Sequence, residues 1–110
     1  IRAMNKFEQE LKNNNFTCSE CKKCDKLVWP PSDFCNKCFG DVMWRPLSRT
    51  AKLVEFSRKN DEYFCIAEFE DQIRIMGTIE NVENLQVGQT LNLIKCDYDG
   101  KEKFIFRSIG

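Results

Sequence analysis

Residues 21–40 read CKKCDKLVWPPSDFCNKCFG, in which Cys21 and Cys24 are followed, ten residues on, by Cys35 and Cys38. Two C-x2-C turns at such a separation can bring four thiolates around one centre, the tetrahedral sulfur coordination that zinc takes in structural sites. The chain has no histidine, so mixed Cys/His ligation is excluded. Four sulfur ligands also leave no open position for water, which points to a structural metal and against a catalytic one. Lys22, Lys23 and Lys37 place positive charge beside the thiolates and favour their ionised form. The ligand set alone leaves iron open as a substitute metal, and free thiols or disulfides as the metal-free alternatives. The register is open too. Cys18 and Cys21 form a second C-x2-C pair, with a thirteen-residue spacer to Cys35, and neither pair is followed by the glycine that eases such a turn.

Outward from this cluster, the N-terminal side carries Met4 to Asn14, with Phe7 and Leu11 at i, i+4 and charges elsewhere. That pattern predicts a short amphipathic helix, stopped by Asn13-Asn14-Asn15. So short a helix is marginal by itself and must dock, either on its own chain or on a partner. Ile1 to Ala3 precede Met4, so Met4 is the expected natural start. Phe16 to about Pro46 shows little periodicity, as a metal-organised pair of loops should, and Pro46-Leu47-Ser48 looks like a boundary.

The C-terminal side is a succession of strand-like runs: AKLVEFS (51–57), YFCIAEF (63–69), IRIMGTI (73–79), LNLIKC (91–96) and KFIFR (103–107). Polar turns separate them at 58–61, at Glu70-Asp71, and at Asp99-Gly100, a strong hairpin signal. Five short strands without an intervening helix, in a sheet too small to leave its edges bare, predict a closed five-stranded OB barrel. The expected class is mainly β with a short N-terminal helix. The expected organisation is a docking helix (1–15), a zinc ribbon (16–48) and a barrel (49–110).

The 110 residues include seven cysteines, an odd number that argues against a complete disulfide framework. No leader pattern and no apolar run approaching membrane-spanning length is present, so a reducing cytoplasm is the expected compartment. Net charge is zero, yet residues 1–49 balance to +3 and residues 50–110 to −3. An acidic barrel half is a poor match to a polyanion.

CKKCDKLVWPPSDFCNKCFG resembles the rubredoxin-like zinc ribbon of a prokaryotic family long catalogued as a domain of unknown function, whose members pair that ribbon with an OB-fold. Trp29-Pro30-Pro31 falls at the family's aromatic-Pro-Pro element if Cys21 and Cys24 are the first ligand pair, which leaves Cys18 spare. The short helix, the first three barrel runs and VGQTLNL (87–93) extend the likeness over nearly the whole chain. Asp25, Asn36, Ser32 and Ala51 depart from the family's glycine, proline, arginine and glycine. The resemblance implies a structural zinc, one per chain, and a non-catalytic acyl-CoA-binding or scaffold subunit of thiolase-type enzymes. In archaea such proteins are associated with acetoacetyl-CoA thiolase and HMG-CoA synthase, early in the mevalonate pathway.

Residue chemistry agrees with a non-catalytic role. There is no nucleophile–base pattern and no phosphate-cradling glycine loop, and Cys65 and Cys96 sit in apolar strands as inert core thiols would. For the scaffold reading, Phe7 and Leu11 are candidate partner contacts, and Arg45, Arg49, Arg58 and Lys59 are candidate CoA-phosphate ligands. The rival is a single-stranded nucleic-acid binder, with Phe56, Tyr63, Phe64, Phe104 and Phe106 as stacking surfaces. Strand alternation assigns most of these rings to core packing instead, and the acidic barrel weighs against the rival.

Overall fold

The structure, a computed structural model, describes residues 4–80 and 84–109; residues 1–3, 81–83 and 110 lie outside them. The chain opens with the expected helix, α1 (Lys6–Lys12). Its start is set by a capping box: the Glu8 backbone N–H donates to Asn5 Oδ1 at 2.8 Å, and the Asn5 N–H donates to Glu8 Oε1 at 3.1 Å. Each contact satisfies an amide that the first helical turn would otherwise leave unpaired. Asn13 caps the C-terminal end, and Asn14 takes a left-handed backbone (φ 61°) that turns the chain away.

Three short strands follow, β1 (Thr17–Cys21), β2 (Leu27–Val28) and β3 (Val42–Pro46), in the order β2-β1-β3. The sequence reading expects only loops here. Strands this short, built from cysteine, serine and charged residues, show no legible alternation; cross-strand pairing such as Ser19 with Trp44 makes them. The chain stays paired through Pro46-Leu47 as well, since Leu47 N–H donates to the Phe16 carbonyl at 3.0 Å and Leu47 is buried.

All five expected runs are strands: β4 (Thr50–Lys59), β5 (Glu62–Phe69), β6 (Ile73–Glu80), β7 (Thr90–Tyr98) and β8 (Glu102–Ser108). They close as β4-β5-β6-β8-β7, with β7 returning to β4 and a parallel β6–β8 pair, the Greek-key barrel of the OB-fold. Arg58 and Lys59, expected in a turn, extend β4, because Lys59 pairs with Glu62 and the turn tightens to Asn60-Asp61. Register shifts between Leu53 and Glu55, and between Leu93 and Lys95, mark the bulges that bend long strands into a barrel. Gly77 is needed where β6 meets β8. A Cβ there would stand 2.6 Å from both the Phe104 carbonyl oxygen and the Phe106 ring.

One apolar core runs through both sheets. Phe16, next to β1, packs against barrel residues Phe69 and Phe104, with ring centroids 4.9 and 6.0 Å apart. Helix α1 joins the same core: Phe7 is 4% exposed and Leu11 fully buried, and the Phe7 ring meets Trp29 edge-on at 5.6 Å. Beyond it, Asn14 Oδ1 accepts from the β7 amide of Cys96 at 2.9 Å. Burying a Leu or Phe side chain stabilises by about 1.5–3 kcal/mol, enough to hold a seven-residue helix that would not persist alone. Phe7 and Leu11, expected as partner contacts, are buried in the chain's own core: of the two docking options, the helix takes its own chain.

Candidate metal centre

The two C-x2-C segments fold into turns with matching hydrogen bonds. In the first, Cys21 N–H donates to Lys26 O at 2.9 Å and Asp25 N–H to Cys21 O at 2.9 Å; in the second, Cys35 N–H donates to Gly40 O at 3.0 Å and Phe39 N–H to Cys35 O at 2.9 Å. Both turns demand a left-handed residue just after the second cysteine, and Asp25 (φ 56°) and Phe39 (φ 59°) supply it. A side chain in that conformation costs about 1–2 kcal/mol, tolerated best by Asn or Asp and poorly by a bulky ring. The missing glycine after Cys24 thus leaves the turn intact, at some strain.

The Sγ atoms of Cys21, Cys24, Cys35 and Cys38 lie within 4.8 Å of one another, and Cys21 and Cys38 are 3.5 Å apart. Four sulfurs about 2.3 Å from a shared zinc would stand about 3.8 Å apart, so this spacing fits one ion. Backbone amides already point at the sulfurs: Cys24 N–H to Cys21 Sγ at 3.2 Å, Lys37 N–H to Cys35 Sγ and Gly40 N–H to Cys38 Sγ, each at 3.4 Å. Such donors favour thiolate. The Cys35 thiol is accordingly lowered to about 6, chiefly by the amides of Cys38 and Lys37. The Cys24 thiol, hydrogen-bonded first to Cys21 and then to Cys38, is pushed up to about 12. Without a cation the cluster has to keep protons to limit its charge; a divalent metal removes that need. The donor set and spacing are those of a structural zinc site, with Zn²⁺ as the cofactor.

The other cysteines are apart from this cluster. Cys18 is fully buried in the main core, and its Sγ donates to the Val28 carbonyl at 3.4 Å. Burial raises the thiols of Cys18 and Cys65 to about 11, and that of Cys96 upward too. They are neutral core groups.

The four candidate CoA-phosphate residues do not assemble into one cationic site. Arg45 donates to Glu70 at 2.7 Å and to Glu20 at 3.2 Å, joining the ribbon to the β5–β6 turn. Arg49 donates to the carbonyls of Leu93 and Asn14. Arg58 pairs with Asp61 at 3.2 Å, and with Lys59 lies at the far end of the ten-residue β4. At about 3.3 Å per residue that is up to roughly 30 Å of strand from Arg49, less where the bulge bends it. Proximity in sequence misled, because an extended strand carries its ends apart. Of the candidate stacking rings, Phe104 and Phe106 are buried, while Phe56 is exposed.

Two features escape the sequence reading. Phe34 and Phe39 flank the second cysteine turn with their rings 6.4 Å apart, 53% and 74% exposed. The available signal was a bulky ring directly after Cys38, where a small residue is cheaper. A cleft of about 600 Å³ opens between the cysteine turns and the β5–β6 turn, lined by Cys21, Cys24 and Cys35 together with Leu27, Trp29 and Ile73. Only tertiary packing makes it; Gln72 Oε1, accepting from Leu27 N–H at 2.8 Å, ties its two walls together.

A four-cysteine zinc ribbon sharing its core with an OB barrel defines the class of this protein. Residues 9–43 match the family model of the ChsH2 rubredoxin-like zinc ribbon domain, so the ribbon is of that type. Over its whole length the chain has the fold of DUF35 proteins, in agreement with the zinc-ribbon family that its sequence resembles. A chain of the Ltp2-ChsH2(DUF35) aldolase superposes with a TM-score of 0.72 at 14% identity, covering 98% of both chains. A DUF35-family protein of unknown function from Sulfolobus solfataricus gives 0.69 at 16% identity, covering 94% of this chain and 82% of the other. No curated protein matches the chain significantly in sequence. No helix among the described residues is long and apolar enough to cross a membrane.

Proposed function

We propose that this chain is a non-catalytic, acyl-CoA-associated subunit that binds a thiolase-type enzyme, its zinc serving only to hold the ribbon. The observation that carries this reading is the end-to-end likeness to a chain of the Ltp2-ChsH2(DUF35) aldolase, a protein named together with a partner. The site chemistry supports it: the metal ligands are all sulfur and the remaining thiols are buried and neutral. Exposed aromatic pairs are uncommon on a solitary protein and frequent where another protein docks, which favours the Phe34–Phe39 tip as the partner contact. On this reading residues 1–15, 16–48 and 49–110 act as one platform. HMG-CoA synthase is a further partner under the same reading, with the cytoplasm as the site of action. The nucleic-acid reading loses ground with the burial of Phe104 and Phe106.

The test is co-purification of the tagged chain with its cognate thiolase from native cells, with and without Phe34→Ala/Phe39→Ala. Stoichiometric recovery, lost in the double variant while the zinc stays bound, supports the reading. A chain that stays monomeric beside that thiolase and ignores acyl-CoA overturns it.

A further inference from the structure

The four ligands of the metal centre are unequal in exposure. Cys21 and Cys35 are 1% and 3% exposed and pack with Val28 in a small cluster of their own; Cys24 is half-buried; Cys38 is exposed. Cys38 also sits on the outer turn, where its hydrogen bond from Gly40 N–H lies at the surface. Gly40 lies against this sulfur: a Cβ there would stand 3.2 Å from Cys38 Sγ and crowd it. The neighbour facing Cys38 across the site is Cys21, 3.5 Å away from sulfur to sulfur.

A zinc thiolate keeps much of its nucleophilicity, and susceptibility to oxidants follows thiolate character and access. Cys38 is the most exposed of the four ligands, and the Cys21 sulfur lies about 1.5 Å beyond disulfide bonding distance from it. We propose that Cys38 is a modification site for hydroperoxides, with Cys21 as its resolving thiol, so that oxidation closes a Cys21–Cys38 disulfide and expels the zinc.

In the first step Cys38 Sγ attacks one peroxide oxygen; the S–O bond forms, the O–O bond breaks and hydroxide leaves. In the second, Cys21 Sγ attacks the sulfenic sulfur; the S–S bond forms and the S–O bond breaks, releasing a second hydroxide. Two thiolates lose two electrons, hydrogen peroxide gains them, and two solvent protons complete two waters. Zn²⁺ leaves because Cys24 and Cys35 alone cannot hold it against solvent. The barrel core does not include this small cluster, so release opens the second cysteine turn with Phe34 and Phe39 while the barrel persists. The proposal stands independently of the partner reading.

The experiment treats the zinc-loaded full chain with substoichiometric hydrogen peroxide, with a chromophoric chelator reporting free zinc and dimedone trapping sulfenic acid. Peptide mapping should place the first dimedone adduct on Cys38 and, without the trap, a Cys21–Cys38 linkage that forms in step with zinc release. Cys18, Cys65 and Cys96 should stay unmodified. A first adduct on another cysteine, a Cys35–Cys38 linkage instead, or zinc release without oxidation of Cys38 overturns the proposal. Because histidine can replace one thiolate in a structural zinc site, Cys38→His should keep the metal and release it to peroxide roughly tenfold more slowly than the unaltered chain. Equal release rates for Cys38→His and the unaltered chain also overturn it.

Discussion

Leu11→Ala separates a helix that belongs to the fold from one that serves a partner. Leu11 is fully buried at the junction of ribbon and barrel, between Phe7 one turn earlier and Asn14, which is anchored to β7. Truncation removes the transfer free energy of the isobutyl group and leaves a cavity that the surrounding strands cannot collapse, together about 3 kcal/mol within the 2–5 kcal/mol usual for buried Leu→Ala. For a domain this size that is a large share of a total of about 5–15 kcal/mol. With a urea dependence of about 1.5 kcal/mol per molar, the unfolding midpoint should fall by about 2 M. The assay is urea unfolding followed by tryptophan fluorescence, with free zinc held constant, because metal binding to the folded state adds its own stabilisation. A loss below about 0.5 kcal/mol, the range of surface substitutions, would refute the burial argument. That result with a simultaneous loss of partner binding would return Phe7 and Leu11 to the role first expected of them.

Two further outcomes test the site and the junction. Cys18→Ser should leave one zinc per chain and Cys24→Ser should lose it, read by metal analysis after gel filtration; the reverse would show that the alternative cysteine register operates in solution. Arg45 holds the Glu70 carboxyl below its usual range, so this bridge stabilises the fold above the unfolded carboxyl's value of about 4.3 and is lost as pH falls through the lower folded value. Glu70→Gln should cost about 0.5–1 kcal/mol at pH 7, modest because both partners are partly exposed, and progressively less as pH falls through the lowered folded value; a cost that does not fall with pH would show that the bridge is not its cause.

The sequence by itself determined whatever is encoded in local spacing. The four ligands followed from cysteine intervals, and the absence of histidine closed the coordination sphere; Trp29-Pro30-Pro31 chose the register through a family likeness, not through geometry. The five barrel strands followed from alternation and turn chemistry, because a half-buried strand writes its two faces into successive residues. Tertiary structure decided the rest. β1 and β3 became strands by pairing with each other, and α1 turned its apolar stripe inward because β7 and Trp29 complete a surface for it. Arg45 was drawn into a carboxylate pair by Glu70, twenty-five residues away in sequence, and Arg58 was carried to the far end of β4. The unequal exposure of the four ligands was equally unreadable, since each turn buries its first cysteine and leaves its second more open only once the chain is packed. Spacing names the atoms that can meet one ion; burial, charge partners and access depend on contacts between residues that no local pattern records.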